Sequence, residues 1–439
     1  MMIKRNAKIA VAAIAASTMA LAGCGGGSGN AASGDKPTLS SDPVTIQLNW
    51  WGGDARIKNT NAIIEKFEAA NPNIKVEGIN ADWSGYWDKL ATSMAGGNAP
   101  DVNQMDELYL ASYAANGSLY DLGKVSDYLD LSQMSSSLKG MGLYNGVQYA
   151  APVSQTPFGV LVNNDILEKL GLTLPDTSNW SWDDLVDFAK QITEKSNGEI
   201  TGIAPMNNGM SLQLWARQNN AALFKDGKVA IPEDVLTSYL QMAYDWTHGD
   251  QIAGTPDFWA EGASATIEQG SIATGKAAMT FTQAPQITAY SKAAGTENMS
   301  LVPMPTTGKN DKYGYLKPGM YFAISSTSEH PAEAAKLIDF IINSNESAEI
   351  GGTERGLPGN TKISESLAET ATGTNKKALE FADQIADTLG DAPEITPNGA
   401  SDLDKIIQRY QQDVVFGKQQ PADAAKAMIT ELNNAITTA

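Results

Sequence analysis

The amino-acid sequence predicts an α/β fold in which strands and helices alternate and the chain forms two lobes. Residues 44–50, VTIQLNW, alternate apolar and polar side chains as a strand does. Apolar residues then recur at helical spacing, at Ile63, Phe67 and Ala70, and residues 73–79, NIKVEGI, alternate again. This order of strand, helix and strand is typical of a parallel pair joined by a right-handed crossover.

Two later segments indicate how the lobes are connected. Residues 272–286 predict a strand that leads into a proline-marked loop, and residues 313–326 predict an extended pair interrupted at Pro318 and Gly319. The chain between these segments is too short for a separate domain. We therefore expect the chain to cross between the lobes more than once, each lobe being discontinuous in sequence and built on a mostly parallel sheet flanked by helices.

Composition and charge exclude several classes of function. The 439 residues include 31 Lys and Arg against 50 Asp and Glu, a formal net charge of −19. Without a run of basic residues in its body, the chain lacks the electrostatic footprint of a nucleic-acid-binding protein. A single cysteine, Cys24, and two histidines, His248 and His330, argue against a disulfide framework, a Cys/His zinc site and catalysis by a nucleophile with a partner histidine. We expect no cofactor and no metal.

The N-terminus has the pattern of an export signal. Basic residues at Lys4 and Arg5 precede an apolar run, residues 9–23, that is too short to span a bilayer comfortably. The run ends in LAGC, residues 21–24, which resembles the lipobox of bacterial lipoproteins. The resemblance implies that residues 1–23 are a signal peptide and that Cys24 is lipidated. Residues 24–42, rich in Gly and Ser, then form a flexible tether at the extracellular face of the membrane.

Polar and aromatic side chains gather where predicted strands end. Trp50 and Trp51 follow the first strand, Asp106 and Glu107 follow a short strand at 101–104, and Asn207 and Asn208 follow a later one. In open α/β sheets, ligands bind at the carboxyl ends of the strands. These residues are therefore candidates for a binding site.

Several stretches together resemble the family 1 extracellular solute-binding proteins, the substrate-binding lipoproteins of ABC sugar importers. They occur in the family's order and span nearly the whole chain after Cys24. They are LAGC at 21–24, GGNAPDV at 96–102, YAAPVSQTPFGVLVNNDILEKLGL at 149–172, SWDDL at 181–185 after Pro175, GKAAMTF at 275–281 and ERGLPGN at 354–360.

The resemblance implies a two-lobed fold, like that of periplasmic binding proteins, which closes by a hinge around its ligand and is then recognised by a permease. It assigns residues 43–153 and 283–318 to the N-terminal lobe and residues 154–282 and 319–439 to the C-terminal lobe. By analogy, the crossings fall near Val153–Gln155, Phe281–Gln283 and Pro318–Met320.

A sugar ligand suits the residues available, because a pyranose ring needs a flat apolar platform and short polar groups. We expect platforms among the tryptophans at strand ends, loops and helix starts. They are Trp50, Trp51, Trp83, Trp215 and Trp259. Beside the carboxylates and amides above, Gln283, Tyr321 and Arg355 are the further candidates for ligand contact. Five platforms exceed what one ring can use, so an oligosaccharide is expected.

The sequence leaves two other functions open. The same fold could bind a non-sugar solute such as a peptide or a polyamine. A secreted glycoside hydrolase could use the same aromatic side chains with two carboxylates, although no carboxylate pair is evident in the sequence. We expect a monomeric binding protein that is not an enzyme.

Overall fold

Two β-sheets, one in each lobe, organise the part of the chain that the structure describes. The structure is a computed structural model, and it describes residues 36–438. Its strands, numbered in chain order, are β1 Val44–Trp51, β2 Ile74–Ala81, β3 Val102–Met105, β4 Leu143–Tyr144, β5 Val147–Gln148, β6 Ala151–Pro152, β7 Ser154–Gln155, β8 Phe158–Asn163, β9 Thr201–Ile203, β10 Phe224–Lys225, β11 Lys228–Val229, β12 Ala277–Gln283, β13 Met299–Val302, β14 Tyr321–Ile324 and β15 Leu357–Pro358.

Helices cover the faces of these sheets. Short 3₁₀ turns occur at Leu122–Val125, Ala284–Gln286 and Ala386–Thr388. The α-helices are α1 Asp54–Ala70, α2 Trp83–Ala95, α3 Glu107–Ala115, α4 Ser136–Gly140, α5 Asn164–Lys169, α6 Trp182–Lys195, α7 Gly209–Gln218, α8 Glu233–His248, α9 Pro256–Ser264, α10 Ile287–Ala294, α11 Pro331–Asn343, α12 Asn345–Gly351, α13 Thr361–Thr370, α14 Gly373–Gln384, α15 Leu403–Val415 and α16 Pro421–Thr438.

The first lobe is built on a five-stranded sheet of order β2-β1-β3-β14-β6. β1 pairs in parallel with both β2 and β3, as the alternating patterns predict, and β14 runs against its neighbours β3 and β6. Both faces of β1 are buried, because Ile46, Leu48 and Trp50 point into one apolar cluster and Trp51 into another. A parallel sheet covered by helices on both faces has this property.

The second lobe is built on a four-stranded sheet of order β13-β8-β12-β9. β8 lies antiparallel to both β12 and β13, whereas β12 and β9 are parallel. In the described part of each sheet, one strand therefore runs against the others. Most strands of each sheet share one direction, as expected from the sequence, but β14 and β8 each make two antiparallel pairings, so both sheets are mixed. All six residues of β8 are buried.

Within residues 36–438, three segments connect the lobes, and they lie side by side. The first runs from β6 through β7 into β8, and the second runs from β13 to β14 with Met320 O accepting the Val153 N–H at 3.0 Å. The third contains β15, which pairs antiparallel with β7. The crossings expected near Val153–Gln155 and Pro318–Met320 are thus present, and the ERGLPGN motif forms the third.

The crossing expected at Phe281–Gln283 is wrong. These residues end β12 inside the second sheet, where Phe281 pairs with Val160, and the chain stays in that lobe until β13 has paired with β8. Consequently β13 belongs to the second sheet and β14 to the first, the reverse of the placement expected for 283–318 and 319 onward. β14 lies in the first sheet because its apolar residues pair with β3 there.

Glycine permits the close approach of the crossing segments. A side chain at Gly319 would meet Ser154 Oγ at 2.6 Å and Arg355 O at 2.9 Å. Gly356 has a φ of +104°, which other residues rarely adopt. The three segments can therefore pack at van der Waals distance where the lobes meet.

The expected signal peptide, residues 1–23, and Cys24 lie outside the described residues. Of the expected tether, residues 36–42 are described and contain neither helix nor strand. Ser40 N–H donates to Glu333 on α11 at 2.6 Å, so this end of the segment is attached to the first lobe. Among the described helices, none has the length and apolar content needed to cross a membrane.

Candidate functional site

A cavity of about 470 Å³ lies between the lobes. This volume falls in the range of roughly 300–1,000 Å³ that is usual for small-molecule sites. The first lobe contributes Trp83, Asp106, Glu107, Leu108 and Met141 to its wall. The second lobe and the segment between β13 and β14 contribute the rest, so a molecule in the cavity can touch both lobes at once.

Trp83 presents an aromatic ring to the cavity. It begins α2, which Asp82 caps by accepting the Gly85 N–H at 2.8 Å. The side chain of Trp83 is 43% exposed, although its ring touches two other indoles edge-on, Trp51 at 5.0 Å and Trp87 at 5.5 Å between centroids. Of the five tryptophans expected to act as platforms, Trp83 is the one on the wall of this cavity.

Two carboxylates follow β3 at the cavity wall, as the sequence predicts. Asp106 caps α3 by accepting the Leu108 N–H at 3.0 Å, and Glu107 accepts the Thr396 N–H at 2.7 Å. Glu107 also lies 3.9 Å from the ammonium of Lys317, which reaches the cavity from the second crossing. The carboxylate of Glu107 therefore joins the first lobe to two segments that belong to the rest of the molecule.

The pKa values of Asp106 and Lys317 depend on their burial and on the neighbouring charges. Burial raises the pKa of the Asp106 carboxyl above its ordinary value of 3.8, while Lys317 and the bond from Leu108 oppose the shift. Burial alone would lower the pKa of Lys317, but Glu107 and the other nearby carboxylates raise it above its ordinary value. The ammonium is thus held in its charged form by the carboxylates around it.

Amide side chains line the second lobe's part of the wall. Asn207 and Asn208 follow β9, and Asn208 caps α7 in a reciprocal arrangement with Ser211. Gln213, one turn further along α7, and Gln283, at the end of β12, also face the cavity. An amide offers both donors and an acceptor, so this wall can bond hydroxyl groups in either sense.

The wall has further aromatic side chains that the candidate set does not contain. Phe224, Phe258 and Tyr290 line it, together with Phe281, which stacks on the buried Trp246 at 6.1 Å and 9°. Phe258 immediately precedes a candidate, Trp259, and the helix turns the smaller ring toward the cavity. The sequence predicts Trp259 as the candidate, whereas the structure places its neighbour Phe258 on the wall.

Trp50 and Trp51 are buried away from the cavity wall. Trp50 is 2% exposed among the apolar side chains of the first lobe, and Trp51 is 8% exposed against Trp83, Tyr86 and Trp87. The strand extends through Trp51, which pairs with Ala81, so the two indoles point to opposite faces of the sheet. The expectation that either one is a platform in this cavity is wrong.

The helices that contain Trp215 and Trp259 direct both side chains away from the cavity. Trp215 on α7 donates to Val235 O at 3.1 Å and to Ser238 Oγ at 3.2 Å on α8. Trp259 on α9 is 2% exposed within an apolar cluster. Neither side chain reaches the cavity wall, because each fills the contact between its helix and the body of the second lobe.

Tyr321 and Arg355 lie near the crossings and are buried. Tyr321 donates from its hydroxyl to Met141 O at 3.1 Å, which supports a residue of the cavity wall from behind. Arg355 donates to Thr60 Oγ1 at 2.6 Å, tying the third crossing to α1. Burial, aided by the nearby Arg56, lowers the pKa of Arg355 to about 10. Their positions indicate support of the lobe junction, not contact with a bound molecule.

Comparison with known proteins identifies the family. The model of the family described as bacterial extracellular solute-binding proteins matches residues 62–382, which is more than half of the chain. The chain belongs to this family. The resemblance found in the sequence is therefore confirmed, and the matched range contains the cavity wall of the first lobe and the whole four-stranded sheet of the second.

Relatives of this solute-binding protein match along nearly its full length. The diacetylchitobiose-binding protein DasA of Streptomyces coelicolor is 25% identical over 97% of each chain. An uncharacterized lipoprotein in the oleD 5′ region of Streptomyces antibioticus is 25% identical over 94% of this chain and 90% of its own. The solved structure of a periplasmic oligogalacturonide-binding protein from Yersinia enterocolitica superposes with a TM-score of 0.77 at 22% identity, covering 90% of this chain and 99% of that one. This likeness confirms the two-lobed fold.

Proposed function

We propose that this solute-binding protein binds an oligosaccharide in the cavity between its lobes and does not transform it chemically. The observation behind the proposal is that Trp83 from one lobe and the amides Asn207, Gln213 and Gln283 from the other line the same cavity. A pyranose ring stacks its C–H face on an indole and bonds its hydroxyl rim to short polar groups. Two named relatives, the diacetylchitobiose-binding and oligogalacturonide-binding proteins, support a sugar as the class of ligand.

Because both lobes line the cavity, the bound ligand can be delivered by closure of the lobes around it. A ligand that contacts both lobes favours the arrangement in which they are closed around it, and closure needs only the three crossing segments to bend. We infer that the closed form is what the permease subunits of an ABC importer recognise. We further propose that the protein acts as a monomer.

We propose that a lipid on Cys24 attaches the protein to the membrane. The LAGC motif precedes a Gly- and Ser-rich stretch, and a relative of similar length is called a lipoprotein. A diacylated cysteine would hold the protein at the extracellular face of the cell membrane while the tether leaves the lobes free to reach the permease.

Thermal melting of the full-length protein against a sugar panel tests the proposal. The panel contains maltose, cellobiose, α-1,4-galactobiose, diacetylchitobiose and their trimers, with spermidine and a tripeptide as non-sugar ligands. A bound sugar stabilises the folded protein by about 2.7 kcal/mol at one hundred times its Kd. At least one sugar is expected to raise the melting temperature and to be recovered intact. Stabilisation by spermidine or the tripeptide alone, or release of monosaccharide by the pure protein, would contradict the proposal.

A further inference from the structure

We propose that the cavity selects its sugar by charge and rejects sugars that bear a carboxylate, an inference that rests on the proposed function. The charged side chains on the cavity wall are unequal in number. Carboxylates are contributed by five of the described lining residues and ammonium groups by two. They are Asp106, Glu107, Glu261, Glu394 and Asp404 against Lys276 and Lys317. Arginine, the side chain best suited to grip a carboxylate in two places, is absent from the described wall.

Hydrogen bonds from the backbone fix several of these carboxylates in place. Glu394 accepts the N–H groups of Asp226 and Gly227 at 3.0 and 3.3 Å, and Asp404 accepts the Gly209 N–H at 2.6 Å. These hydrogen bonds hold the carboxylates at fixed positions on the wall, where a carboxylate on the ligand would meet like charge.

The two ammonium groups do not offset this surplus. Lys317 is half-buried and lies 3.9 Å from Glu107, so its charge already has a partner inside the wall. Lys276 is exposed to solvent at the edge of the cavity, as are Glu261, Glu394 and Asp404, so salt screens these charges alike. Five carboxylates against two ammonium groups still leave a surplus of three negative charges on the described wall. A neutral sugar needs neither lysine, because the amides Asn207, Gln213 and Gln283 supply uncharged donors and acceptors.

A similar fold does not determine whether a protein binds a neutral or an acidic sugar. The oligogalacturonide-binding protein from Yersinia enterocolitica is named for an acidic sugar and shares the fold at 22% identity. Side chains at the site determine which ligand a fold accepts. We therefore expect this chain to differ from that protein in the charge of the sugar that it takes.

Paired ligands test the inference. Each neutral disaccharide of the melting panel is compared, by titration calorimetry on the full-length protein, with the form whose terminal C6 alcohol is oxidised to a carboxylate. The uronate form is expected to bind at least about tenfold more weakly than its neutral partner. A uronate that binds as tightly as its neutral partner, or more tightly, overturns the charge rule and leaves the proposed function standing. Failure of every sugar to bind overturns the proposed function itself.

Neutralised variants assign the effect to the wall. Glu261→Gln and Asp404→Asn each remove one charge, and the Asn oxygen at 404 can still accept the Gly209 N–H. Each is expected to reduce the ratio of uronate to neutral Kd. Glu65→Gln, the same change on the exposed face of α1, is the matched control and is expected to leave that ratio unchanged. An unchanged ratio in both cavity variants contradicts the proposal.

Discussion

The indole of Trp51 lies edge-on to the indole of Trp83, with ring centroids 5.0 Å apart and planes at 82°. Trp51 is buried at the end of β1, whereas Trp83 is 43% exposed at the start of α2 and faces the cavity. An edge-to-face contact of this kind stabilises one orientation of a ring. Trp51 is thus a support, and Trp83 is the residue positioned to touch a ligand.

Trp83→Ala is expected to abolish the rise in melting temperature that a sugar produces. The ring that the sugar would stack on is lost, while removal of a half-exposed side chain costs the ligand-free fold comparatively little. Melting scans with and without the best sugar of the panel measure both effects. Tyr244→Ala, which removes a ring that is 38% exposed on α8 outside the cavity wall, is the control. A sugar-induced shift that persists in Trp83→Ala would exclude this residue as the platform.

Trp51→Ala is expected to destabilise the ligand-free protein by about 3–5 kcal/mol, the usual cost of removing a large buried aromatic side chain. The cavity left behind would border Trp83, Tyr86 and Trp87. Urea unfolding of the ligand-free protein measures this loss. If the free energy of unfolding stays within experimental error of wild type, Trp51 is not the core residue that its 8% exposure indicates.

The difference between these two tryptophans shows what sequence could and could not predict. Alternation at 44–50 predicted β1, and the polar residues after β3 and β9 correctly marked the edge where Asp106, Glu107, Asn207 and Asn208 meet the cavity. The alternation did not predict that β1 continues through Trp51, because that depends on pairing with Ala81, thirty residues away. Because β1 is one residue longer than the pattern indicated, the side chain of Trp51 points to the helix-covered face of the sheet instead of lying in a loop.

The same limit explains the misplaced crossing and the missed wall residues. Gln283 lines the cavity, but the chain turns back into its own lobe after it because β13 pairs with β8, a contact between distant segments. Lys317 and Asp404 reach the cavity from a crossing segment and from the start of α15. No local pattern marks a surface residue that tertiary packing brings to a site.

Glu107→Ala is expected to cost about 1–3 kcal/mol of unfolding free energy, because the Thr396 N–H loses its acceptor in a buried place. Lys317 also loses the carboxylate nearest to its ammonium. Glu107→Gln keeps an oxygen for the Thr396 N–H and is expected to lose less. Urea denaturation of both variants gives the comparison. Equal losses would show that the charge next to Lys317, and not the hydrogen bond to Thr396, is what matters.

Cys24→Ser is expected to release the protein from the membrane, since the serine hydroxyl cannot take the thioether-linked lipid that the LAGC motif implies. Detergent-phase partitioning of cell extracts measures attachment. Wild type is expected in the detergent phase and the variant in the aqueous phase, with sugar-induced stabilisation the same in both. A wild-type protein found in the aqueous phase would contradict the assignment of Cys24.

Asp106→Asn is expected to stabilise the ligand-free protein at neutral pH. Burial raises the folded-state pKa of Asp106 above 3.8, so the folded state binds its proton more tightly than the unfolded state does. The free energy of unfolding therefore falls as pH rises through the window between the unfolded and the folded pKa, and it stays lower above that window. Asn keeps an oxygen for the Leu108 N–H and has no charge to bury.

The advantage of Asp106→Asn over wild type is accordingly largest near pH 7 and shrinks as the pH approaches the ordinary value of 3.8. Melting temperatures of both proteins across this range give the curve. Asp176→Asn is the matched control of opposite sign, because bonds from Ser178 lower the pKa of Asp176 and its charged form favours the folded state. That variant is expected to lose stability at neutral pH. A melting difference for Asp106→Asn that does not change with pH would mean that the carboxylate's charge is not the cause.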